Sequence, residues 1–411
     1  MPALQHRRAA LVETASEAFV DSLRAFRGFG RPTQAFVDHG VPYFVNEYWT
    51  ARQRQSHALH EVSYRACFKA ELPRFFIERL TLPGELVYDP FMGRGTTLLE
   101  AALMQRRVAG NDINPLSRLL IGPRLAPPTL AAIAQRLREI DWRGVAGDAD
   151  CELTVFFQPE TLAEIVALKR WLAEREAAGR LDDIDGWIRM VAIGRLTGHS
   201  PGFFSVYTLP PNQAVSIEAQ RKINAERNQA PPRRDVPALI LRKSKSLLRD
   251  GGPVPRLPMT GPMLCTGPAW HTPEIRDASI ALVVTSPPFL DVVDYRQDNW
   301  LRCWFAGIDP DAVAIDQHRT VPEWERFVRR CLDEFARIVR PGGHVAFEVG
   351  EVRGGKVLLE RHVVAAAQGL PLTLLGVMVN DQAFTKTANC WGVSNNRRGT
   401  NTNRIVVLRR D

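Results

Sequence analysis

Of the six cysteines in this 411-residue chain, none stands in a Cys-x-x-Cys pair and none joins a histidine at zinc spacing. That excludes a zinc finger or ribbon and a dithiol redox motif, and scattered thiols of this kind fit a reducing cytoplasm. No apolar run approaches the roughly 20 residues that a membrane helix needs. Met1 to Arg8 is basic but has no apolar segment behind it, so it does not read as a signal peptide. Internal repeats and low-complexity tracts are missing as well. The expectation is a cytoplasmic globular protein with no metal and no membrane partner.

What remains is large enough for one big α/β domain with an insertion, or for two domains: 45% of residues are hydrophobic. The net charge of +8 fits a polyanionic partner, although charge alone is weak support. Residues 1–48 alternate apolar and charged positions, as in Ala18 to Phe26, and read as a helical N-terminal extension. Residues 49–124 turn to helix, strand, helix, strand, with strands at Glu85–Asp89 and Arg107–Asp112 around an amphipathic helix from Thr97 to Gln105. Alternation at this spacing implies a parallel sheet. Pro115, Pro123, Pro127 and Pro128 break the pattern, and residues 125–258 read as a helical insertion. In residues 259–411 strands return at Met263–Cys265, Ile280–Val284 and His344–Val349. Trp324, Phe327, Val328, Cys331, Leu332, Phe335 and Ile338 make one helix face, which Pro341-Gly-Gly343 ends. Leu374–Val379 and Ile405–Leu408 read as two paired closing strands.

Two segments carry chemistry. Asp89-Pro-Phe-Met-Gly-Arg-Gly-Thr-Thr97 places Gly93 and Gly95 after a strand and before a helix. Glycine there admits close backbone approach, and the helix N-terminus at Thr96 and Thr97 offers unpaired N–H groups to an anion. The next strand ends in Asp112-Ile-Asn114, where an acid can bind ribose hydroxyls or simply cap a turn. The second segment, Thr285-Ser-Pro-Pro-Phe289, follows an apolar strand, at the carboxyl end where an α/β sheet puts its pockets.

Together and in this order the two segments resemble the S-adenosylmethionine-dependent DNA amino-methyltransferases, over roughly residues 48–124 and 259–411. The resemblance implies a Rossmann-like class I methyltransferase fold with a mostly parallel seven-stranded sheet. It implies S-adenosyl-L-methionine as cofactor, held by Asp89, Phe91, Gly93, Gly95, Thr96, Thr97, Asp112 and Asn114. It also implies a catalytic pocket of Ser286, Pro287, Pro288 and Phe289. There Ser286 Oγ and the Pro287 carbonyl accept hydrogen bonds from the exocyclic amine of a base, so that its lone pair is free to attack the methyl group, and Phe289 stacks on the base flipped out of the duplex. A serine at position 286 favours cytosine N4; Asp or Asn is commoner in the adenine N6 enzymes, which stay as the alternative. A C5-cytosine mechanism needs a nucleophilic cysteine beside a proline, and no cysteine here follows a proline. His57 to Arg65 is similar to the segment that closes over the cofactor in this family. One departure stands out: where the family commonly has Gly-Asp after the third strand, this chain has Gly267-Pro268-Ala269.

The partner implied is double-stranded DNA, with or without a cognate restriction endonuclease. The insertion holds nine basic residues against three acidic ones between 221 and 250. Arg195, Arg233 and Arg234 in the insertion, with Asn396 and Arg397 in the loop before the last strand, are the candidate DNA contacts. Asp291 and Asp294 either assist proton loss or cap the next helix. An RNA base methyltransferase and a non-catalytic DNA-binding scaffold are the rival classes. The first commonly carries Asp-Pro-Pro-Tyr at the pocket, and the second would show degraded motifs.

Overall fold

The computed structural model describes all residues except 1–15, 51–56, 65–66, 144–147, 209–213, 251–260, 289–294, 315–317, 353–355 and 382–401. Its centre is one nine-stranded sheet of β1 (Gln34–Asp38), β2 (Val41–Asn46), β3 (Leu86–Asp89), β4 (Arg107–Asp112), β5 (Met263–Thr266), β6 (Ile280–Thr285), β7 (Val339–Val349), β10 (Leu372–Asp381) and β11 (Thr402–Arg410). The small pair β8 (Glu351–Val352) and β9 (Val357–Leu358) stands apart. The order across the sheet is β1-β2-β10-β11-β7-β6-β3-β4-β5. Strands β5, β4, β3, β6 and β7 run parallel, and β11 is antiparallel to both neighbours. The chain moves outward from β3 to β5, then returns to the other side of β3 at β6. That reversal is a topological switch point, where doubly wound sheets hold their ligands.

The expected α/β sheet with paired closing strands is therefore present, with nine strands rather than seven. The two extra strands correct the reading of residues 1–48 as helical. Only residues 16–24 (α1) are helix in the described part of that segment. Residues 34–46 form a hairpin, and β2 docks parallel to β10. The hairpin turns at His39 and Gly40, both with positive φ, as a two-residue turn of this hand requires. His-Gly is an uncommon spelling of that turn.

Helices cover both faces. Helix α2 (Glu71–Leu80), α3 (Thr96–Leu103) and α4 (Leu116–Leu125) pack on one, with α5 (Leu130–Glu139), α6 (Pro159–Ala177), α7 (Asp183–Ile193), α8 (Ile217–Glu226), α9 (Val236–Leu247) and α10 (Tyr295–Ala306) beyond them. Helix α11 (Val321–Ile338) and α12 (Leu359–Ala367) cover the other. Strand β6 explains why both layers form: every residue from Ile280 to Thr285 is buried. Leu282 and Val284 face the α3 side, while Ile280 and Val283 face α11. A run without polar alternation is the pattern of a strand covered on both faces. The helices of residues 130–247 share their hydrophobic cluster with α2, α3 and α4.

Helix α11 ends at Ile338 and the strand starts at once, so Pro341-Gly-Gly343 lies inside β7 rather than before it. The register shifts at this point, and a Cβ on Gly343 would sit 2.9 Å from the Ala281 carbonyl oxygen. The sequence breaks the helix as expected, but the glycines serve a bulge in the strand. Among the described residues no helix is long and apolar enough to cross a membrane.

One buried amide fixes the hairpin. Asn380 Oδ1 on β10 accepts from the N–H groups of Tyr48 (2.7 Å) and Trp49 (3.2 Å), and its Nδ2 donates to the Trp49 carbonyl. Asn380→Ala strands these groups away from water. It is expected to cost about 2–4 kcal/mol, the range for leaving two or more buried partners unmade, and urea unfolding measures it.

Candidate active site

A cleft opens at the carboxyl ends of β3, β4, β5 and β6, enclosing ≈ 850 Å³, part of it open to solvent. Asp89, Phe91, Gly93 and Thr96 line it from β3 and the turn into α3; Asp112 and Asn114 from β4; Gly267, Pro268 and Ala269 from the loop after β5; Ser286 and Pro288 from the end of β6. The two motifs that lie far apart in sequence thus face one space. Tyr64, Cys67 and Phe68 close one side.

The glycine turn is built as its sequence suggests, but its two glycines serve different ends. Gly93 and Gly95 have φ of +48° and +79°. Gly93 lines the cleft, and a Cβ there would point toward the Tyr64 ring 3.7 Å away. Gly95 does not line it. A Cβ on Gly95 would collide with the Ile121 side chain of α4, so this glycine lets two helices meet. Thr97 also turns away from the cleft: its hydroxyl donates to the Val284 carbonyl at 3.1 Å and so ties α3 to β6. Thr96 stays at the cleft wall, its Oγ1 accepting from Arg94 Nε.

Asp112 holds the turn in place. Its Oδ2 accepts from the Gly93 N–H at 2.8 Å and its Oδ1 from the Asn114 N–H at 2.9 Å. Burial pushes its carboxyl up, against these two hydrogen bonds. Asn114 combines two roles, lining the cleft and capping α4 through Oδ1 to the Leu116 N–H. The loop after β5 has the register read from the sequence: Gly267 donates to the Asp112 carbonyl, and its own carbonyl accepts from Asn111 Nδ2. Pro268 therefore does stand in the cleft wall, where it offers neither a carboxylate nor an N–H.

On the other side, Ser286 Oγ hydrogen-bonds the carboxylate of Glu348 on β7, which Asn403 Nδ2 also reaches, at 2.9 Å. Glu348 is only 6% exposed, and burial raises its carboxyl to about 7 despite both donors. Sequence reading passed over this residue. The signal was a lone carboxylate inside the apolar stretch His344–Val349, an expensive placement without a partner. Behind the pocket, Trp324 Nε1 of α11 donates to the Pro288 carbonyl at 2.9 Å. That leaves the loop braced from outside while Ser286 faces in. Phe289, Asp291 and Asp294 lie outside the described residues, as do Asn396 and Arg397.

The segment 57–64 lies against the turn as a strap. Arg94 donates to the Val62 carbonyl (3.0 Å), Arg124 to the Leu59 carbonyl (3.0 Å) and Arg302 to the Ser63 carbonyl (3.1 Å). His60 is turned inward onto Glu100 of α3 at 2.8 Å, and Glu100 also holds Arg74. Among the described residues no His, Cys, Asp and Glu group has the form of a metal site. Arg233 bridges to Glu160 and Glu164 of α6, and the Arg234 backbone exchanges hydrogen bonds with the Thr161 hydroxyl. Arg195 stacks on Phe203, its guanidinium 3.9 Å from the ring centre.

A doubly wound sheet with a glycine turn at the switch strand and a Ser-Pro-Pro loop on its neighbour defines a Rossmann-like α/β protein. Residues 38–117 match the family described as DNA methylase. Over 74 residues the chain is 34% identical to the type II methyltransferase M.MjaII of Methanocaldococcus jannaschii, a stretch covering 18% of this chain and 14% of that one. Over 82 residues it is 30% identical to the type II methyltransferase M.MvaI of Kocuria varians, covering 19% and 18%. The match thus spans less than a fifth of either relative. A solved geranyl diphosphate C-methyltransferase from Streptomyces coelicolor A3(2) aligns over 82% of this chain and 76% of its own, at 9% identity and a TM-score of 0.34. Residues 38–117, with the motif within them, are thus the part of the chain that is similar to the DNA methylases.

The two glycines make a contrasting pair of variants. Gly95→Ala adds left-handed strain to a clash with α4 and should cost about 2–5 kcal/mol. Gly93→Ala meets open cleft and should cost about 1–2 kcal/mol. Urea unfolding of both variants checks the order, and equal losses would place both glycines in the same role.

Proposed function

We propose that the protein transfers a methyl group from S-adenosyl-L-methionine to the N4 amine of cytosine in double-stranded DNA. The observation that carries this reading is the single cleft shared by the Asp89–Thr96 turn, Asp112 and Ser286. The donor set fits the cofactor: the start of α3 suits a carboxylate, Asp112 suits a ribose diol, and the space beside Gly93 is clear of any Cβ. The cofactor, when bound, supplies an activated methyl group. Phe91, Ile113 and Pro268 would face its base, with backbone groups of residues 267–269 in place of the family's acid.

Ser286 and Glu348 then act on the target amine. With Glu348 ionised, the Ser286 hydroxyl donates to it and turns its oxygen lone pairs toward the amine N–H. That favours a pyramidal nitrogen whose lone pair is free to attack. The amine proton lost on methylation has a path through Ser286 to Glu348, whose carboxyl near 7 can hold it. No covalent enzyme–base bond is required, so orientation and preorganised acceptors supply the rate. Serine at this position is the basis for cytosine over adenine. Arg195 and the basic stretch of the insertion would meet the DNA backbone, whereas Arg233 would first have to leave Glu160 and Glu164. Asn396, Arg397 and Phe289 keep the roles that the sequence suggests, DNA contact and base stacking. On this reading the protein modifies its sites either alone or alongside a cognate restriction endonuclease.

Incubation with DNA and labelled cofactor, then digestion and mass spectrometry, should yield N4-methylcytosine. N6-methyladenine would overturn the choice of base, and no labelled nucleoside would overturn the activity. Ser286→Ala should lower turnover by about 10²-fold, the scale for removing one preorganised hydrogen bond at a transition state. The sign of the pH dependence follows from Glu348: protonation below about 7 removes the acceptor for the Ser286 hydroxyl. Turnover should therefore rise with pH through about 7. Glu348→Gln should flatten that limb and lower the plateau, and an unchanged limb would assign it to another group.

A further inference from the structure

Four cations of the insertion, Arg195, Arg242, Lys243 and Arg249, cluster beside the strap, and two of them contact it directly. The guanidinium groups of Arg195 and Arg242 both come within 4.0 Å of one point beside Gly202. Lys243 Nζ reaches Glu61 Oε2 at 3.2 Å, and Arg249 reaches Glu61 Oε1 at 2.5 Å. Arg242 otherwise meets only a carbonyl among the described residues, that of Pro201, at 3.3 Å. Burial, then the neighbouring Arg195, holds the Lys243 ammonium below its ordinary range, and Arg195 itself falls to about 10, chiefly by burial and further by Arg242. Arg195 is still cationic at neutral pH. Glu61 is the carboxylate held by Lys243 and Arg249 and in electrostatic range of Arg195, with Asp250 beside Arg249 at 3.6 Å. One fork of two oxygens thus sits between Lys243 and Arg249, with Arg195 in electrostatic range and Arg242 beside Arg195.

We propose that Arg195, Arg242, Lys243 and Arg249 form a subsite for a DNA backbone phosphate, and that Glu61 occupies it as an internal stand-in until DNA arrives. This rests on the DNA reading above and deepens it. A phosphodiester presents two non-bridging oxygens, the same fork as a carboxylate, so it suits the same donors. The exchange is sterically open: the Glu61 side chain is 41% exposed and that of Arg249 48%. It also has a consequence at a distance. Glu61 belongs to the strap, and three residues later Tyr64 lines the cleft. The strap is further pinned to the insertion by Asp250, which accepts from the Ala58 N–H at 2.6 Å. Displacing Glu61 removes one of these two side-chain ties, so phosphate binding and the cleft wall are linked.

The test uses the full chain, a non-cognate 20-base-pair duplex and S-adenosylhomocysteine as cofactor probe. Anisotropy titrations at several salt concentrations should show Arg242→Gln with Arg249→Gln weakening the duplex by about 10-fold or more. The slope of log Kd against log salt should fall by about 0.9, the share of the one phosphate no longer neutralised. Glu61→Gln should tighten the duplex, and Arg249→Gln should cost more affinity in the Glu61→Gln background than in the wild type. Calorimetry should give the probe different affinities with and without duplex in the wild type, and this ratio should move toward one in Glu61→Gln. Melting temperatures of the surface variants Arg242→Gln and Glu61→Gln check that the fold is kept. If the wild type binds duplex but the arginine variants keep its affinity and slope, the subsite is refuted while the function reading stands. If the variants behave as expected but the wild-type ratio is already one, the link through the strap is refuted. If the wild type binds no duplex at all, the function reading fails first.

Discussion

The hydrogen bond between Asp89 and Thr285 is the joint on which the rest turns. It runs 2.6 Å from the Thr285 hydroxyl to Asp89 Oδ1, across the two strands where the sheet reverses direction. Asp89 is 1% exposed, and burial raises its carboxyl to about 7, against the donors Thr285, Phe91 and Thr97. A group placed so expensively is useful only if its partners are fixed. Here they are the residue before Ser286, the start of the glycine turn and the helix behind it. One side chain thereby holds the glycine-turn side and the Ser286 side of the cleft at a set distance. The Thr97 hydroxyl on the Val284 carbonyl repeats the same tie one layer back.

Much of this was legible because local chemistry enforces it. The strands at Leu86–Asp89 and Ile280–Thr285 are apolar runs with no alternation, and a buried parallel strand has few other spellings. Gly93 and Gly95 announced left-handed backbone, and both adopt it. What each glycine is for was not legible. Only the packing of α4 shows that Gly95 serves Ile121 rather than the cleft. The N-terminal hairpin was missed because its turn is His39-Gly40 and Pro42 sits in its second strand, where a strand reading is weakened.

Glu348 and Glu61 were missed for a different reason. Each takes its meaning from a partner far along the chain: Ser286 for the first, Lys243 and Arg249 for the second. Parallel pairing of β6 with β7 sets Thr285 opposite Phe347, which puts Ser286 beside Glu348. No periodicity within either segment encodes that adjacency. Basic residues of the insertion were visible as a count, but a count does not separate Arg233, committed to α6, from Arg242, which is not.

The same joint governs how the chain can be made. Asp89 and Thr285 stand 196 residues apart, with the whole insertion between them. At about 5–20 residues per second, a ribosome releases β6 some ~10–40 s after β3. During that interval β3 has only β4 to pair with, and the Asp89 carboxyl lacks the Thr285 hydroxyl. The Ser286 wall of the cleft therefore joins the glycine turn only after the helices of the insertion have emerged. Nascent chains of this protein should pass through a long-lived state in which the first half of the sheet exposes an apolar edge, the natural substrate of a holding chaperone.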